Sequence, residues 1–200
     1  MYPDTNPVQS QAQPQSPGFL KGVVGAISDL LQVTVMSFAI FLVVYLFIFQ
    51  PNVISGPSMD PTLKNREYVL TDKVTYRWVH PPERGEIIVF HSPVRRDTDY
   101  IKRIIGLPGD TVKVDTGKVY INGEALPEPY LQKSVTTDYG IFLREGVDYK
   151  IQEGTYIVMG DNRSGSSDSR EWGPIAKEEI VGKAWFRYWP FNRLGMIDHK

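Results

Sequence analysis

The chain has 200 residues, 42% of them apolar, a net charge of −1 and no cysteine. That is room for one ordinary domain plus a tail or membrane segment, and it excludes a disulfide framework or a thiolate zinc site. Only Asp4, Lys21 and Asp29 are charged before Gln50, which leaves 21 basic and 21 acidic residues beyond it; no nucleic-acid partner is expected from a chain with no basic excess to set against phosphate.

Residues 1–18 (MYPDTNPVQSQAQPQSPG) are Pro, Gln and Ser with almost no core-forming side chains. Such a segment cannot bury enough surface to offset its chain entropy, so residues 1–29 are expected to be a disordered tail and lead-in. The run LLQVTVMSFAIFLVVYLFIF (30–49) has 14 Leu, Ile, Val or Phe residues in twenty. At 1.5 Å rise per residue it matches a hydrocarbon core of roughly 30 Å. It shows no polar face at period 3.6, it is longer than a signal-peptide core, and no small-residue cleavage site follows. Residues 30–50 are therefore expected to be an uncleaved transmembrane anchor. The positive-inside count, one base before it and several after, would put the C-terminal part inside.

Residues 51–200 read as one mainly β domain of mostly antiparallel strands with no internal repeat. GPSMDPTL (56–63) comes first, a Gly/Pro loop that presents Ser58. A serine in such a loop is ordinarily a turn residue, and a nucleophilic one needs a base and an oxyanion site. EIIVF (86–90) is a continuous apolar strand. In YIKRIIGLPGD (100–110) alternation puts Tyr100, Lys102 and Ile104 on one face and Ile101, Arg103 and Ile105 on the other. A lysine among Tyr and Ile either snorkels to water or is desolvated. To act as a base near neutrality its pKa must fall from about 10.4 to about 7–8, within the reach of burial. TVKV (111–114) and KVYI (118–121) flank Asp115-Thr116-Gly117, and the following Asn122-Gly123 is a hairpin signal. TYIVMG (155–160) is a further strand.

The polar stretch GDNRSGSSDSREWGPI (160–175) is either a surface loop or a set of hydroxyls and ions that orients a neutral amine; its acidic spacing does not fit an EF-hand. KEEI (177–180) looks like a helical turn, and VGKAWFRYW (181–189) is the last strand. The rings of Trp185, Phe186, Tyr188, Trp189 and Phe191 exceed what one buried face uses, so they divide between core and lipid interface. The three histidines offer poor bases for a Ser–His arrangement: His80 precedes Pro-Pro, His91 ends a strand, and His199 is penultimate, all expected to be exposed.

Together GPSMDPTL, RGEIIVF, YIKRIIGLPGD and GDNRSGSSDSREWG resemble, in order, the four boxes of the bacterial type I signal peptidases (leader peptidases). These are membrane-bound Ser–Lys endopeptidases that remove signal peptides from exported preproteins. The resemblance covers the chain from the apolar segment to the C-terminus. It implies that Ser58 attacks the scissile carbonyl and Lys102 is the general base. Ser166 matches the position whose hydroxyl bonds the lysine amine, and Asp161, Arg103, Asp168 and Arg170 match the supporting ion pairs. Ile54, Met59, Leu63, Val89, Tyr100 and Ile101 match the apolar walls that hold small residues at −1 and −3, the Ala-x-Ala pattern. Gly56 stands where one branch of the family has a serine that donates to the oxyanion, so the hole would rest on backbone amides, chiefly that of Ser58.

The family's topology implies a single-pass protein of the cell membrane, working as a monomer. Its catalytic domain would lie on the exported (extracytoplasmic or lumenal) side, against the charge count. The implied partners are preproteins and the lipid bilayer; no metal or organic cofactor is implied. Two other readings remain at this point. One is a self-cleaving Ser–Lys protein of the repressor type, whose DNA-binding domain the first 50 residues do not supply. The other is a membrane-anchored β domain that binds partners without catalysis.

Overall fold

A computed structural model of the chain describes residues 18–95 and 97–199. The tail expected over residues 1–17 lies outside them. Helix α1 spans Phe19–Val43, so it starts well before Leu30 and takes in the segment expected to be a disordered lead-in. Phe19-Leu20 and Val23-Val24 extend the apolar run toward the N-terminus, and only Lys21 and Asp29 interrupt it. Apolar side chains are exposed all round it, among them Leu30 at 69% and Phe38 at 61%. A core helix buries one face; among the described side chains this one buries none, and Lys21–Val43 is long and apolar enough to cross a membrane. Thr34 Oγ1 donates to the Leu30 carbonyl at 2.8 Å, which satisfies a polar group inside the run.

The chain divides at Val43/Val44 into this helix and a second unit. Val44–Ile48 forms a wider π-type turn, and β1 (Phe49–Val53) begins where the apolar run was expected to be still helical. There follow β2 (Tyr68–Asp72), the short helix α2 (Thr75–Trp78), β3 (Ile87–His91) and β4 (Asp99–Gly106). Next come β5 (Thr111–Asp115), β6 (Lys118–Ile121), β7 (Glu124–Ala125), β8 (Tyr149–Lys150) and β9 (Thr155–Met159). Helix α3 (Ser169–Trp172) precedes β10 (Ile175–Ala176), β11 (Ile180–Trp189) and β12 (Gly195–Met196). The helical turn expected in KEEI is a single 3₁₀ turn, Lys177–Glu179.

The fold is mainly antiparallel β, as the alternation and turn signals indicated. Asn122 and Gly123 take φ of 53° and 88°, the left-handed pair that a type I′ turn needs, and join β6 to β7. The larger sheet runs β1-β2-β11-β3-β4-β9-β10, with β12 added beside β11, and the smaller runs β7-β6-β5-β8. β3 lies inside the larger sheet and packs on both faces. Ile87 joins a cluster with Ile54, Met59, Leu63, Val69, Ala184 and Ile197, while Ile88 and Phe90 join Ile104, Tyr156, Val158 and Ile175. Burial on both sides is why EIIVF reads as unbroken apolar sequence. Pairing on β4 leaves an opening. β3 runs beside it from Asp99 to Arg103, but β9 joins only from Arg103 onward. From Asp99 to Lys102 one edge of β4 has no strand partner among the described residues.

The C-terminal aromatics are mostly half-buried. Trp185 stacks on Phe49 at 5.2 Å and Tyr188 leans on Tyr68 at 5.7 Å, whereas Trp189 and Phe191 remain 45% and 73% exposed.

Candidate active site

The loop that carries Ser58 is closed by its own backbone. Ile54 N donates to Glu67 O, Arg66 N donates to Ile54 O, and Leu63 N donates to Met59 O. Met59 and Leu63 are fully buried and pin the loop to the core beside Ile54 and Ile87. Gly56 has φ +92°, and its N–H donates to Asn65 Oδ1 at 3.0 Å. No atom lies within 4 Å of where its Cβ would stand, so glycine is required here for backbone conformation and not for space.

A second loop grips the first. Asn162 donates its backbone N–H to Ser58 O at 3.1 Å and its Nδ2 to Pro57 O at 3.2 Å. Gly160 permits this approach, because a Cβ there would stand 2.4 Å from Ser58 O and 2.3 Å from Ser166 Oγ. With its carbonyl held, Ser58 is half-buried, and its own N–H has no acceptor among the described residues.

Lys102 reaches the serine from β4. Its Nζ donates to Ser58 Oγ at 2.9 Å and to Ile101 O at 3.0 Å. The side chain does not snorkel: Lys102 is only 4% exposed. Burial pushes the amine's pKa down to about 8, against the pull of the Asp168 and Asp161 carboxylates, which favour the charged form. The tyrosine beside it on the same strand face, Tyr100, has its ring centroid 5.4 Å from Nζ.

Beneath this pair lie three buried arginines. Arg103 forms a two-pronged pair with Asp161 (Nε to Oδ1 2.8 Å, Nη2 to Oδ2 2.7 Å), and Thr62 Oγ1 donates to the same carboxylate. Its Nη1 donates to Gly85 O and His199 O, and its guanidinium carbon lies 3.9 Å from the Tyr130 ring centroid. Arg170 pairs with Asp168 and donates to Asp138 O, Arg163 O and Ser166 O. Asp168 also caps α3 and accepts from Gly160 N at 3.0 Å. Arg163, which the sequence did not single out, pairs with Glu128 and donates to Thr137.

The cleft above the pair has a volume of about 340 Å³. One wall is Asn52–Ser58; opposite it stand Val89, Arg95, the stretch 98–102 and Ser167. Of the expected wall residues, Ile54, Val89, Tyr100 and Ile101 line it. Met59 and Leu63 do not; they sit in the core cluster, with Ile54 and Ile101 between that cluster and the cleft.

Ser166 departs from its expected contact as well. Its Oγ is buried, has no hydrogen-bond partner among the described residues and does not bond Lys102.

No histidine lines the cleft. His91 is exposed and faces Asp99 at 2.8 Å. His199 is not exposed as expected: its Nδ1 accepts from Ile87 N at 3.0 Å, and burial drives its pKa down to about 4. His80, Glu83 and Glu86 bring ligand atoms within 4.8 Å of one another. Glu86, however, is already bound by Lys183 at 2.6 Å and by the Tyr76 hydroxyl, and the three lie outside the cleft.

Comparison with known proteins identifies the family. Residues 27–189 match the family model described as signal peptidase, peptidase S26. A signal peptidase IB of Staphylococcus aureus (strain COL) is 39% identical over 170 residues, which is 80% of this chain and 87% of the relative. A probable signal peptidase I-2 of Synechocystis sp. is 39% identical over 156 residues, 76% of this chain and 68% of the relative. The crystal structure of a signal peptidase I from Enterococcus faecalis V583 aligns at a TM-score of 0.42 with 33% identity, covering 51% of this chain and 95% of that one.

Proposed function

Because the chain belongs to the signal peptidase family, peptidase S26, whose serine peptidases cleave signal peptides, we propose that it does so with a Ser58–Lys102 dyad at a membrane surface. The observation that carries this reading is the 2.9 Å approach of Lys102 Nζ to Ser58 Oγ, with the lysine out of water and its pKa near 8. A neutral Nζ takes the Ser58 hydroxyl proton as Oγ attacks the scissile carbonyl. The oxyanion forms against the free Ser58 N–H, Gly56 having no side chain to contribute. Lys102 then gives its proton to the departing amide nitrogen, which leaves as an amine and leaves the signal peptide esterified to Ser58. A water, deprotonated by the same amine, hydrolyses the ester.

The substrate chain adds as a strand along the unpaired edge of β4, Asp99–Lys102. Its −1 and −3 side chains meet Ile54, Val89, Tyr100 and Ile101, and so shallow an apolar wall favours Ala-x-Ala and rejects bulkier residues by clash. The Arg103–Asp161 and Arg170–Asp168 pairs hold the two loops. Helix α1 is the single anchor, the β unit works on the exported side as a monomer, and the exposed Trp189 and Phe191 touch the bilayer in part. No step calls for a metal or organic cofactor.

The test is cleavage, in detergent, of a preprotein with an Ala-x-Ala site and of the same preprotein with Leu at −1. Wild type should cut the first at the predicted bond and the second at least tenfold more slowly. Equal cutting of both would remove the specificity claim.

A further inference from the structure

Helix α2 ends in an exposed tip, Arg77-Trp78-Val79, that plays no part in the chemistry above. Trp78 is 82% exposed and Val79 71%, whereas the other three tryptophans are half-buried or, like Trp189, 45% exposed. The tip stands on a firm base. Asp72 accepts from Val74 N, Thr75 N and Thr75 Oγ1. Tyr76 turns inward, packs against the Ile88/Phe90 cluster and donates its hydroxyl to Glu86 at 2.9 Å. The residues that follow Tyr76 are therefore held outward by a fixed backbone.

The base of this helix lies one hydrogen bond from the end of the apolar run. Lys73 N donates to Ile48 O at 2.9 Å, and Asp72 is the register partner of Phe49 in β1. We propose that Trp78 and Val79 insert into the lipid interface and form a further point of membrane contact, besides the anchor and the Trp189–Phe191 end of the sheet. The inference rests on reading the apolar run as that anchor. An indole with an apolar body and one N–H donor favours the headgroup level, and Arg77 beside it suits anionic lipid. Trp189 pairs with Tyr68 at one end of β2, Phe191 follows two residues on, and α2 lies beyond the Asp72 end. A bilayer touching both ends would run along β2, whose five residues span about 17 Å, and would fix the depth of the Ser58 loop as well as its distance.

The chain has no cysteine, so one label reports one position. Full-length V79C and E124C would each be labelled with an environment-sensitive fluorophore and reconstituted into phosphatidylcholine/phosphatidylglycerol vesicles. Glu124, exposed on the smaller sheet, serves as the water reference. The proposal expects a blue-shifted label at 79 that spin-labelled lipid quenches, and neither effect at 124. It also expects Trp78→Ala to lower kcat/KM on a vesicle-embedded preprotein by about three- to tenfold, with soluble-peptide cleavage in detergent unchanged. A label at 79 that reports water while the protein floats with the vesicles overturns the proposal and leaves the anchor standing. Failure to float overturns the anchor, and the proposal with it.

Discussion

Arg103 and Asp161 meet through two parallel hydrogen bonds, with side chains 0% and 1% exposed. Neither ion has water to fall back on, so the loss of one strands the other. Asp161→Ala is expected to lower stability by about 3–5 kcal/mol, read as a fall in the urea midpoint. Replacing both, Arg103→Met with Asp161→Leu, should recover part of that loss. A single variant as stable as wild type would mean the pair holds nothing.

As the proposed base, the Lys102 amine should set a pH limb. Its pKa is lowered to about 8, and only the neutral form can take the serine proton. The rate kcat/KM should therefore rise with pH, about tenfold per unit, and level off above roughly pH 8. The stability consequence has the same sign. Between about 8 and 10.5 the unfolded chain holds a proton there that the folded one does not, so folding strengthens as pH rises through that window. Below it the buried charge costs about 3 kcal/mol, and Lys102→Met should be inactive yet more stable at pH 7. A less stable Lys102→Met would show that the lysine is not desolvated.

Gly160 is needed for its lack of a side chain. Its added Cβ would stand within 2.4 Å of Ser58 O, a backbone atom that cannot swing aside. Gly160→Ala should push the Ser58 loop off Lys102 and lower kcat by about a hundredfold, while the far-ultraviolet circular dichroism is retained. Unchanged kcat would show that the two loops do not need this approach.

His199 makes the β unit acid-sensitive. Its folded pKa is lowered from 6.5 to about 4, because burial disfavours the charged ring and Lys183 and Arg103 lie nearby; the neutral ring accepts from Ile87 N. The stability it contributes is present above pH 6.5 and is lost as pH falls toward 4, on the order of 3 kcal/mol. His199→Ala should flatten the stability–pH curve in that window, as thermal unfolding would show. An unchanged slope would assign the acid sensitivity elsewhere.

What the sequence made legible was local. Asn122-Gly123 announces its hairpin because the turn's backbone demands those residues, and alternation puts Lys102 and Arg103 on opposite faces of β4. Contacts made across the chain were not visible. Nothing near Arg163 in sequence points to Glu128, and nothing near His199 points to Ile87; each meets its partner only after strands from distant segments pair. Met59 and Leu63 belong to the serine loop by sequence but to the core by packing, since apolar character alone does not tell a cleft wall from the layer behind it. The apolar run likewise marks a span without its ends: the helix starts at Phe19, and Val44 leaves α geometry ahead of Phe49.

The central claim is that Lys102, and no histidine, takes the proton of Ser58. Its most direct test is cleavage of one Ala-x-Ala preprotein by wild type, Ser58→Ala, Lys102→Ala and His91→Ala, side by side in detergent. Loss of activity in both the Ser58 and Lys102 variants, with His91→Ala active, is the predicted result. An active Lys102→Ala together with an inactive His91→Ala would contradict it.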